Sequence, residues 1–139
     1  MKFLHFSFIP RSADLALLVL RAWFGLSLML LHGWGKVSGF SAMAAKFPDP
    51  LHLGSASLSL GMATFAEFVC AGLVVLGLFT RFAALGVMIT MGVAFWLVHG
   101  HQLTGPASGE MAFLYLGVFL PIFVGGPGKY SIDAAMGVK

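Results

Sequence analysis

Long apolar runs, broken by glycine and proline, dominate the chain. Four of them stand out, at 14–35, 57–78, 82–98 and 111–124. A bilayer-spanning helix needs about 20 apolar residues, with a range of about 17–25. The first three runs fit that range and the fourth is short. Inside a membrane each run must be helical, because no water is present to satisfy a stray backbone N–H or C=O. The pattern predicts an all-α membrane protein: a single domain over 1–139, folded as a four-transmembrane-helix bundle.

The connections carry the helix breakers. Gly39, Pro48, Asp49, Pro50 and Gly54 lie between the first two runs, and 41–47 has room for a short interfacial helix. The turn at 78–81 is so tight that the second and third helices must be antiparallel neighbours. Gly100, Gly105, Pro106 and Gly109 separate the last two runs. Gly125-Gly126-Pro127-Gly128 stops the fourth, within which Pro121 removes a backbone donor and should kink the helix.

Composition agrees. Hydrophobic residues make up 59% of the chain and charged ones 9%, against roughly 25% charged in soluble domains. Such a chain has too little polar surface to face water, so the lipid bilayer is its first partner. The net charge of +3 comes from scattered residues without a basic run, so no nucleic acid is expected. The start, 1–10, is weakly basic and apolar but has no small-x-small cleavage site, and the first run reads as a retained span. A single cysteine, Cys70, excludes an intramolecular disulfide and a CxxC motif.

Four spans place both termini and the 78–81 turn on one side. That side carries Lys2, Arg11, Arg81, Lys129 and Lys139, and the other only Lys36 and Lys46. The asymmetry predicts both termini in the cytoplasm. Trp34 and Trp96 then fall near the outer interface, where the amphipathic indole ring is favoured.

Two ionisable residues lie well inside spans, at a cost of about 2.5–3.5 kcal/mol each on insertion scales. Arg21 sits roughly 10 Å and Glu67 roughly 16 Å from the inner end of its helix. They form a candidate intramembrane pair. Against it, side chains tilt toward their own helix N-terminus, which in antiparallel helices moves these two apart. Arg21 can otherwise snorkel to headgroups. Glu67 must be paired, protonated or lining a wet cavity.

At 100° per residue, Arg21, Gly25, Leu28, His32 and Lys36 form one stripe on the first helix. Its outer end joins His99, His101 and Glu110 near the same surface. A metal site needs three or four converging ligands, and this spacing identifies none. The roles of His99, His101 and Cys70 stay open.

Three segments resemble the DoxX family of small bacterial membrane proteins. The first is Arg21-Ala22-Trp23-Phe24-Gly25 with His32-Gly33-Trp34-Gly35-Lys36. The second is Glu67 with Gly72 and Leu76-Gly77-Leu78-Phe79-Thr80-Arg81. The third is Gly126-Pro127-Gly128-Lys129-Tyr130-Ser131-Ile132-Asp133. The resemblance implies a four-helix bundle in the bacterial inner membrane and a link to redox metabolism. Similar proteins are subunits of quinone-linked oxidoreductases, parts of thiol and oxidative-stress systems, or assembly factors. A fold does not give a function, and the chain holds no self-contained catalytic motif. Three classes therefore stand. The first is a membrane subunit that contacts quinone through His32, Lys36 and Glu67 beside a partner oxidoreductase subunit. The second is a non-enzymatic assembly or anchoring factor. The third is a small transporter coupled through Glu67. Oligomeric state is not legible.

Overall fold

A computed structural model describes residues 11–138 together with Leu4, Phe6, Phe8 and Ile9. All regular structure among the described residues is helical. Helix α1 runs over Ala13–Ser38, α3 over Ala56–Leu76 and α4 over Thr80–Val98, and these three are long and apolar enough to cross a membrane. A single turn, α2 (Phe40–Met43), lies between the first two. Helix α5 (Glu110–Gly125) is apolar but has only 16 residues, and α6 (Ile132–Ala135) is one turn in the tail.

Local chemistry sets the helix starts. Ser12 Oγ accepts from Leu15 N at 3.2 Å at the head of α1, and Ser55 Oγ accepts from Leu58 N at 3.2 Å at the head of α3. Each relieves one of the orphan donors at a helix N-terminus. Helix α1 continues to Ser38, past the expected end near Gly35, and so carries Lys36 within its last turn. Pro121 sits inside α5.

Consecutive long helices run antiparallel. The N-terminal half of α1 meets the C-terminal end of α3, and α5 packs along α4. Val74, Ala83, Ala84, Val87, Phe119 and Ile122 are fully buried between them. Two glycines draw α1 onto α3. A Cβ on Gly25 would lie 2.6 Å from Val75 Cγ2, and one on Gly33 would lie 2.5 Å from Glu67 O. Such approach of small residues is the usual device for packing helices in lipid. Outward, Trp23, Leu31, Phe82 and Val124 remain about two-thirds or more exposed. That apolar belt is far too extensive for a water-facing monomer.

Three helices widen to a π-helical turn, at Met29–Gly33, Phe65–Cys70 and Ala94–Val98. Each shows a hydrogen bond across five residues: Trp34 N to Met29 O, Ala71 N to Ala66 O, and His99 N to Ala94 O. Such turns concentrate at functional sites. Here they carry His32 and Glu67 and immediately precede His99.

Candidate functional site

The polar residues separate into two groups at opposite ends of the bundle. The first group ties down the C-terminal segment. Arg21 is fully buried. Its Nη2 donates to Tyr130 O at 2.6 Å and its Nη1 to Val74 O at 3.4 Å. Gly77, in the left-handed region at φ 68°, leaves the guanidinium its space, since a Cβ there would overlap Nη1. Asp133 then caps α4 from a distant part of the chain. Phe79 N donates to Oδ1 at 2.9 Å, and Thr80 N and Oγ1 donate to Oδ2 at 2.9 and 2.7 Å. This carboxylate replaces a local cap, because Phe79 itself has φ 47° and offers no side-chain acceptor. Burial alone would raise the carboxyl of Asp133. The donors from Thr80 and Phe79 and the nearby Arg21 charge outweigh it and hold it below the usual range. Lys129 N donates to Asp14 Oδ1 at 2.9 Å, and Arg81 Nη2 to Val124 O at 3.3 Å.

The second group lines a cavity of about 310 Å³ at the other end. Lys36 Nζ donates to Glu67 Oε2 in a close ion pair, with the two side chains only 18% and 9% exposed. His32, one turn before Lys36, meets Tyr115 edge-to-face with ring centroids 5.7 Å apart. Among the described residues neither the His32 nitrogens nor the Tyr115 hydroxyl has a hydrogen-bond partner, and both residues line the cavity. His99 also lines it. Its Nδ1 lies 3.0 Å from Ala107 O, so Nδ1 carries the proton and a neutral ring leaves Nε2 as acceptor.

The connection after α2 borders the same cavity through Phe47, Pro48, Pro50, Leu51 and Leu53. Asp49 holds it in place. Ser59 Oγ donates to Oδ1 at 2.7 Å, Leu53 N to Oδ1 at 3.1 Å and Gly54 N to Oδ2 at 2.9 Å. The Ser59 hydroxyl first, then the backbone donors, keep the Asp49 carboxyl below its ordinary range.

The expected Arg21–Glu67 pair is not formed. Glu67 pairs with Lys36 and Arg21 with backbone carbonyls near Asp133. The tilt of side chains toward their own N-termini explains the outcome. Arg21 reaches the level of Val74, roughly 10 Å along α3 from Glu67. His32, Lys36 and Glu67 do meet around one cavity. His101 and Glu110 are exposed and do not join it.

Residues 16–100 match the DoxX family. The chain belongs to the DoxX family. An uncharacterized protein of Haemophilus influenzae is 27% identical to this DoxX chain over 106 residues, covering 74% of the chain and 70% of that relative. No solved structure matches at a significant level. The matched stretch holds Arg21, His32, Lys36, Glu67 and Thr80. Asp133 and Tyr130 lie beyond it, as does Tyr115.

Sequence reasoning passed over Tyr115, and it named Asp49 only as a turn former and Asp133 only within a resembling segment, giving neither a role. Tyr115 had a signal, since it is the only tyrosine inside an apolar run. Asp49 and Asp133 had weaker ones, as acidic residues among turn formers.

Proposed function

We propose that this DoxX protein binds the head of a quinone or quinol in the cavity, as the membrane part of a redox complex in the bacterial inner membrane. The observation that carries this reading is the Lys36–Glu67 pair at the wall of a largely apolar cavity that is also lined by the Tyr115 hydroxyl and His32 nitrogens, which have no hydrogen-bond partner among the described residues. A small-molecule site typically combines apolar walls with a few convergent polar groups. Lys36 keeps ammonium protons beyond the one given to Glu67, and the Tyr115 hydroxyl is a donor; either suits a quinone carbonyl. Glu67 and His32 suit the hydroxyls of a quinol and can take up the protons its oxidation releases. The electrons would pass to a partner subunit, because this chain offers no redox motif of its own.

In the same reading α5 is the fourth span. Its length is roughly 24 Å at about 1.5 Å per residue, short of a hydrocarbon core of about 30 Å. A local thinning of the bilayer accommodates that mismatch at modest cost. Arg11, Arg81 and Lys129 lie at the Arg21 end, and Lys36 and Lys46 belong to the cavity end. That asymmetry supports cytoplasmic termini. Lys2 and Lys139, which also entered the expectation, lie outside the described residues.

The test is quinone-analogue binding in nanodiscs. Lys36→Ala, His32→Ala and Tyr115→Phe should each weaken binding by about 1–3 kcal/mol, the usual cost of an unsatisfied buried partner. His101→Ala should change nothing. Absence of saturable binding, both to the protein alone and to its natively purified complex, would remove the reading.

A further inference from the structure

A second depression lies against the cavity, on the lipid-facing surface between α3 and α4. It is a groove of about 380 Å³ with almost wholly apolar walls, lined in part by Gly61 and Gly86. Met62, Ile89 and Thr90 line both the groove and the cavity. The two spaces therefore share one three-residue wall, a sill between them. The cavity is also bordered by the 47–53 segment, which does not line the groove and which the Asp49 hydrogen bonds hold in place.

We propose that the groove takes the hydrocarbon tail of the quinone whose head lies at Lys36 and Glu67, and that the ligand is admitted sideways from the bilayer over the sill. This rests on the reading of the cavity as a quinone site. Three features favour it. The groove adjoins the cavity across the shared wall of Met62, Ile89 and Thr90. It faces the apolar belt rather than the clasped loop. Its depth comes from Gly61, where a Cβ would meet nothing within 4 Å, while Gly86 lets α4 approach α3, since a Cβ there would press on buried Cys70 Sγ at 3.3 Å. A tail laid there stays within hydrocarbon over its whole length, so its passage needs no exposure to water.

Gly61→Leu fills the groove without touching the polar wall. It also replaces glycine with a good helix former, so the bundle should fold at least as well. Gly117→Leu is the control, because Gly117 is exposed on α5 and a Cβ there also meets open space. Binding of a decyl-substituted benzoquinone and of its tail-free parent is measured in nanodiscs for the wild type and both variants. Gly61→Leu should weaken the decyl compound about tenfold, through lost packing and steric exclusion of the tail rather than through its exposure to water. It should leave the tail-free compound unchanged, and Gly117→Leu should leave both unchanged. Unchanged decyl binding to Gly61→Leu overturns the groove while sparing the cavity. Equal loss of both compounds also overturns it, since the groove would then only support the cavity wall. If neither compound binds the wild type, alone or in its natively purified complex, the cavity reading fails and the groove proposal fails with it.

Discussion

Gly33 of α1 rests directly on the backbone of Glu67 in α3, so that a Cβ at Gly33 would come 2.5 Å from Glu67 O and 2.8 Å from Glu67 C. The obstacle is backbone, which cannot rotate away as a side-chain tip can. In an ordinary helix, glycine to alanine gains about 1 kcal/mol. Gly33→Ala should instead cost about 1–3 kcal/mol, as overpacking does, and Gly61→Ala should show the ordinary gain. Thermal unfolding in detergent compares the two. A Gly33→Ala protein as stable as the wild type would mean that α1 and α3 are less tightly seated than described.

The Lys36–Glu67 pair should show coupling in a double-mutant cycle. Removing one member of a buried pair strands a charge, at about 3–5 kcal/mol in typical cases. Lys36→Met and Glu67→Gln should each lower stability, and the double variant should lose less than their sum by about 1–3 kcal/mol. Arg21→Met with Glu67→Gln should add. Coupling in the second cycle and none in the first would reverse the assignment of partners.

Arg21 should matter to the C-terminal segment and not to the ligand. Its planar fork serves Val74 O and Tyr130 O together, which the point charge of lysine does poorly. Arg21→Lys should accelerate proteolytic cleavage near Lys129 several-fold while quinone-analogue affinity stays within about twofold. Altered affinity with an intact tail would contradict the separation of the two polar groups.

Acid should loosen both clasps. The Asp133 and Asp49 carboxyls are held below their ordinary range, near 3.9 when unperturbed. A depressed carboxyl gives stability that is complete above its unfolded pKa and lost as pH falls through the lower folded value. Wild-type unfolding temperature should therefore drop as pH falls below about 4, with a shallower drop in Asp133→Asn. At neutral pH that variant should be weaker by about 1–3 kcal/mol, having lost a charged acceptor for Phe79 N and Thr80. An identical pH profile for the two proteins would place the acid sensitivity elsewhere.

Orientation is checked by reporter fusions. A cytoplasmic reporter should be active after Val138 and inactive within 44–54. The opposite labelling would invert the bundle and leave the cavity facing the cytoplasm.

The apolar runs at 14–35, 57–78 and 82–98 made three helices legible, because burial of backbone in lipid leaves one solution. His32 and Lys36 on the stripe of the first helix, and Glu67 on the second run, were legible for a related reason, since ionisable groups are too costly in apolar helices to be incidental. The partners were not. Axial depth alone favoured Arg21 for Glu67, but the direction of each side chain and the extra turn of α1 that carries Lys36 decided otherwise. Tyr115 was hidden because a tyrosine in an apolar run reads as core. Asp133 was hidden because its role depends on the tail folding back onto Thr80, a contact between residues 53 positions apart.

The clasp around Arg21 also sets an order of events in the protein's biogenesis. Its donors and acceptors are separated by 109 positions between Arg21 and Tyr130, and by 115 between Asp14 and Lys129. During synthesis α1, α3 and α4 emerge with the guanidinium lacking Tyr130 O and the head of α4 lacking Asp133. Both wait until 126–133 has left the ribosome. A nascent chain stalled before that point holds the Arg21 guanidinium with Val74 O but without its closer acceptor, Tyr130 O.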